Sequence, residues 1–214
     1  MAGKRLLAGR VALFLLLVLG LAGCRKVEFA DIHRVAVLAP DNRTSCRTLP
    51  EEIKAEVLRL LSTRLAGEAV DGAMIEAELP AGEYASALLD PVRASALGAR
   101  YGVDAFLVGT VTNYREEVKK NLQLETGAGE GLKAEIRVDL AVTVGFNLTL
   151  IRAEDGGVVF SRYAEATAVH PLTIGLAPPS ISLNLSAEPI YPRLRQEAIR
   201  KALEGLLRKA GRRA

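Results

Sequence analysis

The chain has 214 residues, with 28 Lys and Arg against 25 Asp and Glu and a formal net charge of +3. Lys4, Arg5 and Arg10 supply that excess within the first ten positions. The remainder is electrically balanced, which gives no electrostatic case for nucleic acid as a partner. Two cysteines exclude a disulfide framework, and the absence of tryptophan leaves a core built from Leu, Val, Ile and Ala.

The basic start is followed by an unbroken apolar run, Val11 to Leu19, and then by Leu21-Ala22-Gly23-Cys24. A basic region, a short apolar region and a small-residue cleavage site are the parts of a secretory signal. The apolar run is too short to span a bilayer, which takes about 20 residues. Small residues directly before a cysteine resemble the bacterial lipoprotein pattern. That resemblance implies cleavage before Cys24 and lipids on Cys24. Two or three acyl chains there would tether the protein permanently, since one chain alone holds only marginally. Under the enterobacterial sorting rule, Arg25 favours the outer membrane, with the domain facing the periplasm. The expected organisation is a signal peptide over 1–23, a lipid-anchored linker over 24–33, an α/β domain over 34–210 and a basic tail over 211–214. Cys46 is then left alone in the polar stretch Asp41 to Thr48 and is expected to be a partly covered, inert thiol.

Arg34 to Ala39 is a short apolar run ended by Pro40, which predicts a buried strand. Thr48 and Glu51 have capping-box spacing before an amphipathic stretch. Ile53, Val57, Leu61 and Leu65 fall on one face of that helix, and Gly67 is expected to close it. Ala73 to Leu79 reads as a second strand and Ala85 to Leu89 as a helical turn. Asp90-Pro91 has the form of an N-cap with proline at the first helical position, and Gly102 closes this helix after Tyr101. Ala105 to Val111 predicts a third strand, continuing through Tyr114 to about Val118. From Ile136 to Ile151 the chain alternates, with Ile136, Val138, Leu140, Val142, Val144, Phe146, Leu148 and Leu150 on one side. Period two over that length is a strand with one buried face. Asp155-Gly156-Gly157 is a turn, and Val158 to Val169 pairs back as a hairpin. Leu194, Ala198, Ala202, Leu203 and Leu206 mark a last amphipathic helix beginning near Pro192. The fold class is α/β: a mixed, largely antiparallel sheet of five or six strands with helices packed on it.

This order resembles the periplasmic α/β domain shared by the curli-secretion lipoprotein CsgG, the penicillin-binding-protein activator LpoB and related envelope lipoproteins. Ala99-Arg-Tyr-Gly-Val-Asp104 running into Ala105-Phe-Leu-Val-Gly-Thr-Val111 is the closest local match, and the resemblance covers most of positions 34 to 210. The family is functionally mixed, so what it implies is a tethered binding domain rather than one activity. The short linker from Cys24 to His33 spans at most about 35 Å. That is a poor arm for activating a synthase across the periplasm. In a CsgG-like pore, two hairpins per subunit enter the membrane, each strand about 9 to 11 residues long. Only Ile136 to Val169 offers strands of that length by sequence pattern.

Catalytic groups are sparse. His33 and His170 have no Cys, His or carboxylate partner at metal-ligand spacing, and no cofactor or small-molecule substrate is expected. His33 is expected to be solvated and His170 to cap the hairpin. The glycine-rich run Gly127 to Gly131 lies between strands, not before a helix, so it predicts a hairpin loop rather than a phosphate cradle. Glu51-Glu52 and Glu116-Glu117 read as solvated pairs. One segment reads as a partner-binding site. Leu172, Ile174 and Leu176 alternate before Pro178-Pro179, and Ile181, Leu183 and Leu185 alternate after it, with no charge among them. The expected function is a lipid-anchored, non-catalytic scaffold or oligomeric component of an envelope assembly or export system. Its contacts would be the membrane, through Cys24, and an envelope partner or a second copy.

Overall fold

A computed structural model describes residues 31–65, 67–125, 133–176 and 190–210. Among these residues six strands form one mixed sheet: β1 (Arg34–Val37), β2 (Asp41–Asn42), β3 (Glu68–Asp71), β4 (Ala105–Glu125), β5 (Lys133–Arg152) and β6 (Val158–Leu176). Among the described residues the helices are α1 (Leu49–Arg64), α2 (Ala73–Glu76), α3 (Tyr84–Leu88), α4 (Pro91–Tyr101) and α5 (Ile190–Ala210). The strand order is β3-β1-β4-β5-β6, and β2 pairs with β4. β1 pairs in parallel with β3 and β4, while β4, β5 and β6 are antiparallel.

Apolar alternation divides the core in two. On one face, α1 and α5 cover Val35, Val37, Leu107, Val142, Val144, Phe146 and their neighbours. On the other, Ala36, Leu38, Phe106, Val108 and Ile151 pack with Ile75, Leu88, Ala94 and Leu97 of α2, α3 and α4. β1 and the first part of β4, Ala105 to Val108, are therefore buried on both faces, which explains their unbroken apolar runs. The predicted alternation of β5 holds through its described side chains: Val138, Leu140, Val142, Val144, Phe146, Leu148 and Leu150 are all buried on the α1–α5 side.

α4 starts and stops as its sequence dictates. The Asp90 carboxylate accepts from the Val92 N–H at 3.0 Å, and Gly102 takes a left-handed φ of 61°. That conformation suits a residue without Cβ. Asp104, just beyond, uses one carboxylate oxygen to accept from the backbone N–H groups of His33 and Arg34, each at 2.8 Å. This fastens the start of β1 to the start of β4. α5 is also as predicted, with Leu194, Ala198, Ala202 and Leu203 buried and Leu206 packed against them.

Several expectations are corrected. The strand expected over Ala73 to Leu79 is instead β3, Glu68–Asp71, and Ala73–Glu76 is helical. The Asp71 side chain accepts from the Ala73 N–H at 2.9 Å, and Glu76 is drawn inward by bonds described below. The capping box of α1 does not form, because Thr48 itself has helical backbone angles and makes no side-chain cap bond. α1 ends at Arg64, before the expected stop, and Leu65 is extended and buried. Gly67 serves a different purpose: a Cβ there would stand 1.9 Å from the His33 carbonyl oxygen, which accepts from the Glu68 N–H at 2.6 Å. Gly67→Ala should push β3 off β1 and lower stability by about 1–3 kcal/mol, read from the urea midpoint at unchanged m-value. β4 runs to Glu125 rather than to about Val118, and β6 runs to Leu176 rather than to Val169. His170 therefore stands within β6, opposite Leu140, and caps nothing. The run 127–131 lies outside the described residues, between the paired ends of β4 and β5.

Candidate functional site: the open face and free edge of the long arm

β4, β5 and β6 are 21, 20 and 19 residues long, while β1 and β3 have four each. The three long strands form an arm that projects past the short parallel strands. A register shift between Val111 and Asn113 in β4 changes which residues face the helices. Before it, Leu107 and Val111 join the α1–α5 core. After it, Tyr114 does so, and Asn113, Arg115, Glu117 and Lys119 turn to the opposite face.

Among the described residues, no helix covers that opposite face beyond the reach of α2, α3 and α4. It is a polar ladder. Asn113 Nδ2 and the Tyr163 hydroxyl both donate to Glu165 Oε2, at 2.9 and 2.5 Å. Thr143 and Thr167 hydroxyls meet at 2.8 Å, and Thr149 and Ser161 at 2.9 Å. Arg115 Nη1 donates to Glu117 Oε1 at 3.1 Å, with Lys119 Nζ 3.6 Å from its other oxygen. The hydrogen bonds from Tyr163 and Asn113 hold the Glu165 carboxyl below its ordinary value, and the bond from Arg115 does the same for Glu117. Glu165 and Glu117 are thus charged at neutral pH and fixed by neighbours. Tyr163 and Val169 stand among them, each about half exposed (52% and 50%).

β6 is the outer strand, so one of its edges meets no other strand among the described residues. Pro171, paired with Asp139, shows which groups point outward. A proline costs β5 no ladder bond only if its nitrogen faces away from β5. Alternation then turns the N–H and C=O of Val169, Thr167, Glu165 and Tyr163 outward as well. The short Thr143–Thr167 and Thr149–Ser161 contacts agree, since side chains approach most closely at non-hydrogen-bonded pairs.

Of the residues singled out from sequence as partner-binding, Leu172 lies in β6 opposite Val138, partly buried against the main core. Ile174 and Leu176 continue the same strand, opposite Ile136 and Ala134. Ile181, Leu183, Leu185 and Cys24 lie outside the described residues. His33 and His170 are both exposed and far apart in the fold. Among the described residues, no group of three or more His, Cys, Asp or Glu is placed to hold a metal ion. No helix among them is long and apolar enough to cross a membrane.

Two polar clusters escaped the sequence reading. Arg195 of α5 donates through Nε to Glu52 of α1 at 2.7 Å and through Nη1 to the Tyr114 hydroxyl of β4 at 3.4 Å, with Cys46 Sγ at 3.7 Å. Burial alone would push the guanidinium down, but Glu52 and Tyr114 outweigh it and hold it above its ordinary value. Burial, followed by the bond to Glu116, pushes the Tyr114 hydroxyl up. Glu52 is therefore not solvated, and Cys46 is half-covered. The cluster fastens both covering helices to the root of the arm. The second cluster centres on Lys54 of α1, the one buried charged side chain among the described residues. Its Nζ lies 2.6 Å from Asp71 and 2.8 Å from Glu76, whose Oε1 also accepts from the Ala39 N–H at 2.7 Å. Neither signal is local in sequence: Glu52 and Arg195 are 143 positions apart.

The chain matches no protein-family model and no curated protein sequence. Solved structures similar to it include the lipoprotein GNA1162 of Neisseria meningitidis, 19% identical, covering 64% of this chain and 83% of that one at a TM-score of 0.45. The PelC dodecamer of Paraburkholderia phytofirmans is 16% identical over 83% of this chain and 90% of that one, at 0.41. The C-terminal domain of LpoB from Salmonella enterica is 10% identical over 62% and 81%, at 0.37. At these identities and scores, no partner, activity or assembly carries over to this chain.

Proposed function

We propose that this chain is a lipid-anchored, non-catalytic envelope protein, tethered through Cys24 to the outer membrane and facing the periplasm. It works as an oligomeric or scaffolding component of an envelope assembly or export system. The observation that carries this reading is the free edge of β6. A 19-residue strand with outward N–H and C=O groups, beside a polar face that no described helix covers, is a template for pairing with another chain. The uncharged segment from Leu172 to Leu185 begins on this strand and extends the contact.

A CsgG-like pore is the second reading. The length of β4 favours it: with β5 and β6, three strands now exceed the 9–11 residues that cross a bilayer.

One variant tests both halves of the proposal. Cys24→Ser removes the sulfur that would carry the lipid. Labelled fatty acid should then fail to appear on the protein, and the chain should leave the membrane fraction or remain unprocessed. Unchanged label and membrane retention would sink the anchor. Native mass spectrometry of the same variant should show multiples of the chain mass or a retained envelope partner. A bare monomer at micromolar concentration, with no partner recovered, would refute the assembly role.

A further inference from the structure

Between α1 and the C-terminal half of α5 the two helices part over the sheet and leave a cleft of about 170 Å³. Val57 of α1, Leu203 of α5, Leu107 of β4 and Phe160 of β6 contribute to a lining that is apolar except for two side chains, Arg64 and Arg162. Both arginines are exposed, so they stand where the cleft opens to water. Neither has an acidic partner among the described residues. Arg64 lies in the last turn of α1, where a cation is favoured whatever the cleft holds. Arg162 has no such reason. It lies on a strand and brings a second positive charge to the same mouth.

An apolar cavity of about 150 Å³ lined by aliphatic and aromatic side chains stays dry and accepts a guest the size of benzene. A cleft of this size therefore holds an apolar group of several carbon atoms. The two guanidinium groups on its lining select the other end of that guest, because arginine matches a carboxylate in both charge and geometry. We propose that the cleft binds a single-chain anionic amphiphile of the fatty-carboxylate class, with the alkyl end against Val57, Leu107 and Leu203 and the carboxylate between Arg64 and Arg162. This site lies on the helix-covered face, takes Phe160 and Arg162 from the turn-proximal first part of β6, and does not depend on the assembly role.

Octanoate is a suitable probe, since it is soluble and of the right length. The full chain, labelled at Leu and Val methyl groups, is titrated with octanoate and followed by methyl NMR. Shifts should concentrate at Val57, Leu107 and Leu203. Arg64→Gln combined with Arg162→Gln should weaken binding by about tenfold or more. Octan-1-ol should bind at least about tenfold more weakly than octanoate for the same reason, and Val57→Phe should abolish binding by filling the cleft. Absence of shifts at these methyls would overturn the proposal. So would equal affinity for octanol, or undiminished binding by the double arginine variant.

Discussion

Lys54→Met should destabilise the fold by about 3 kcal/mol, because it strips the cation from a largely buried pair of carboxylates while leaving them in place. The Lys54 side chain is 6% exposed and Glu76 16%, whereas Asp71 is 60% exposed. The penalty therefore falls mainly on Glu76 and stays below that of a fully buried triad. Methionine preserves the packing of the lysine stem, so the loss reports charge rather than volume. For a domain of this size the melting temperature should fall by roughly 6–12 °C. Adding Glu76→Gln should restore part of it, since a neutral amide oxygen still accepts from Ala39. A double-mutant cycle by thermal melting measures that coupling.

The same cluster sets a pH dependence. Burial pushes the Lys54 ammonium down, but Asp71 and Glu76 outweigh burial and hold it above the ordinary lysine value. The hydrogen bond from Lys54 in turn holds the Asp71 carboxyl below its ordinary value. A depressed carboxyl contributes stability that is present above its unfolded pKa and is lost as pH falls through the folded one. A raised lysine contributes stability that is complete below its unfolded pKa and is lost as pH rises through the folded one. The stability gap between the native chain and Lys54→Met should thus be flat from about pH 5 to 9 and narrow on either side.

Two prolines placed one residue apart on β6 should have opposite consequences. Thr167→Pro removes an N–H that points outward, so the β5–β6 ladder keeps its bonds and the isolated domain keeps most of its stability. It should abolish association along the edge. Ala168→Pro removes a bond to β5 and inserts a ring at a fully buried position, costing about 3 kcal/mol or more. It should unfold or severely destabilise the domain. Circular dichroism melting and sedimentation velocity on the two variants read both effects. Equal destabilisation by the two would show that the outward assignment at 167 is wrong. Intact association of a folded Thr167→Pro chain would show that the edge is not the contact.

How much of this was legible in the sequence depends on whether the signal was local. The alternation from Val138 to Leu150 identifies β5 and its buried face because period two is a property of neighbours. Asp90-Pro91 and Gly102 identify both ends of α4 because caps are local chemistry. The segment after Gly67 was misread because a short apolar run such as Ala73-Met-Ile does not distinguish strand from helix by periodicity. What decides it is Glu76, pinned to Lys54 and Ala39 across the fold. The far half of β4 carries Arg115-Glu-Glu-Val-Lys-Lys120, a composition with little strand preference of its own. Pairing with β5 imposes the strand. The Arg195–Glu52–Tyr114 cluster joins three elements far apart in sequence, and spacing alone could not assemble it. Leu172, Ile174 and Leu176 were singled out by alternation and lie on a strand, although whether they meet a partner is a property of the assembly, not of one chain.

Residue-resolved hydrogen exchange along β6 tests the central claim, that this edge pairs with another chain. The amides of Tyr163, Glu165, Thr167 and Val169 point outward and have no strand partner among the described residues. At concentrations where the protein is assembled they should be protected as well as the inward amides of Ala164 and Ala168, and on dilution to the monomer they should exchange freely while the inward ones stay protected. Free exchange of the outward amides at every concentration, and in the presence of envelope extract, would contradict the account.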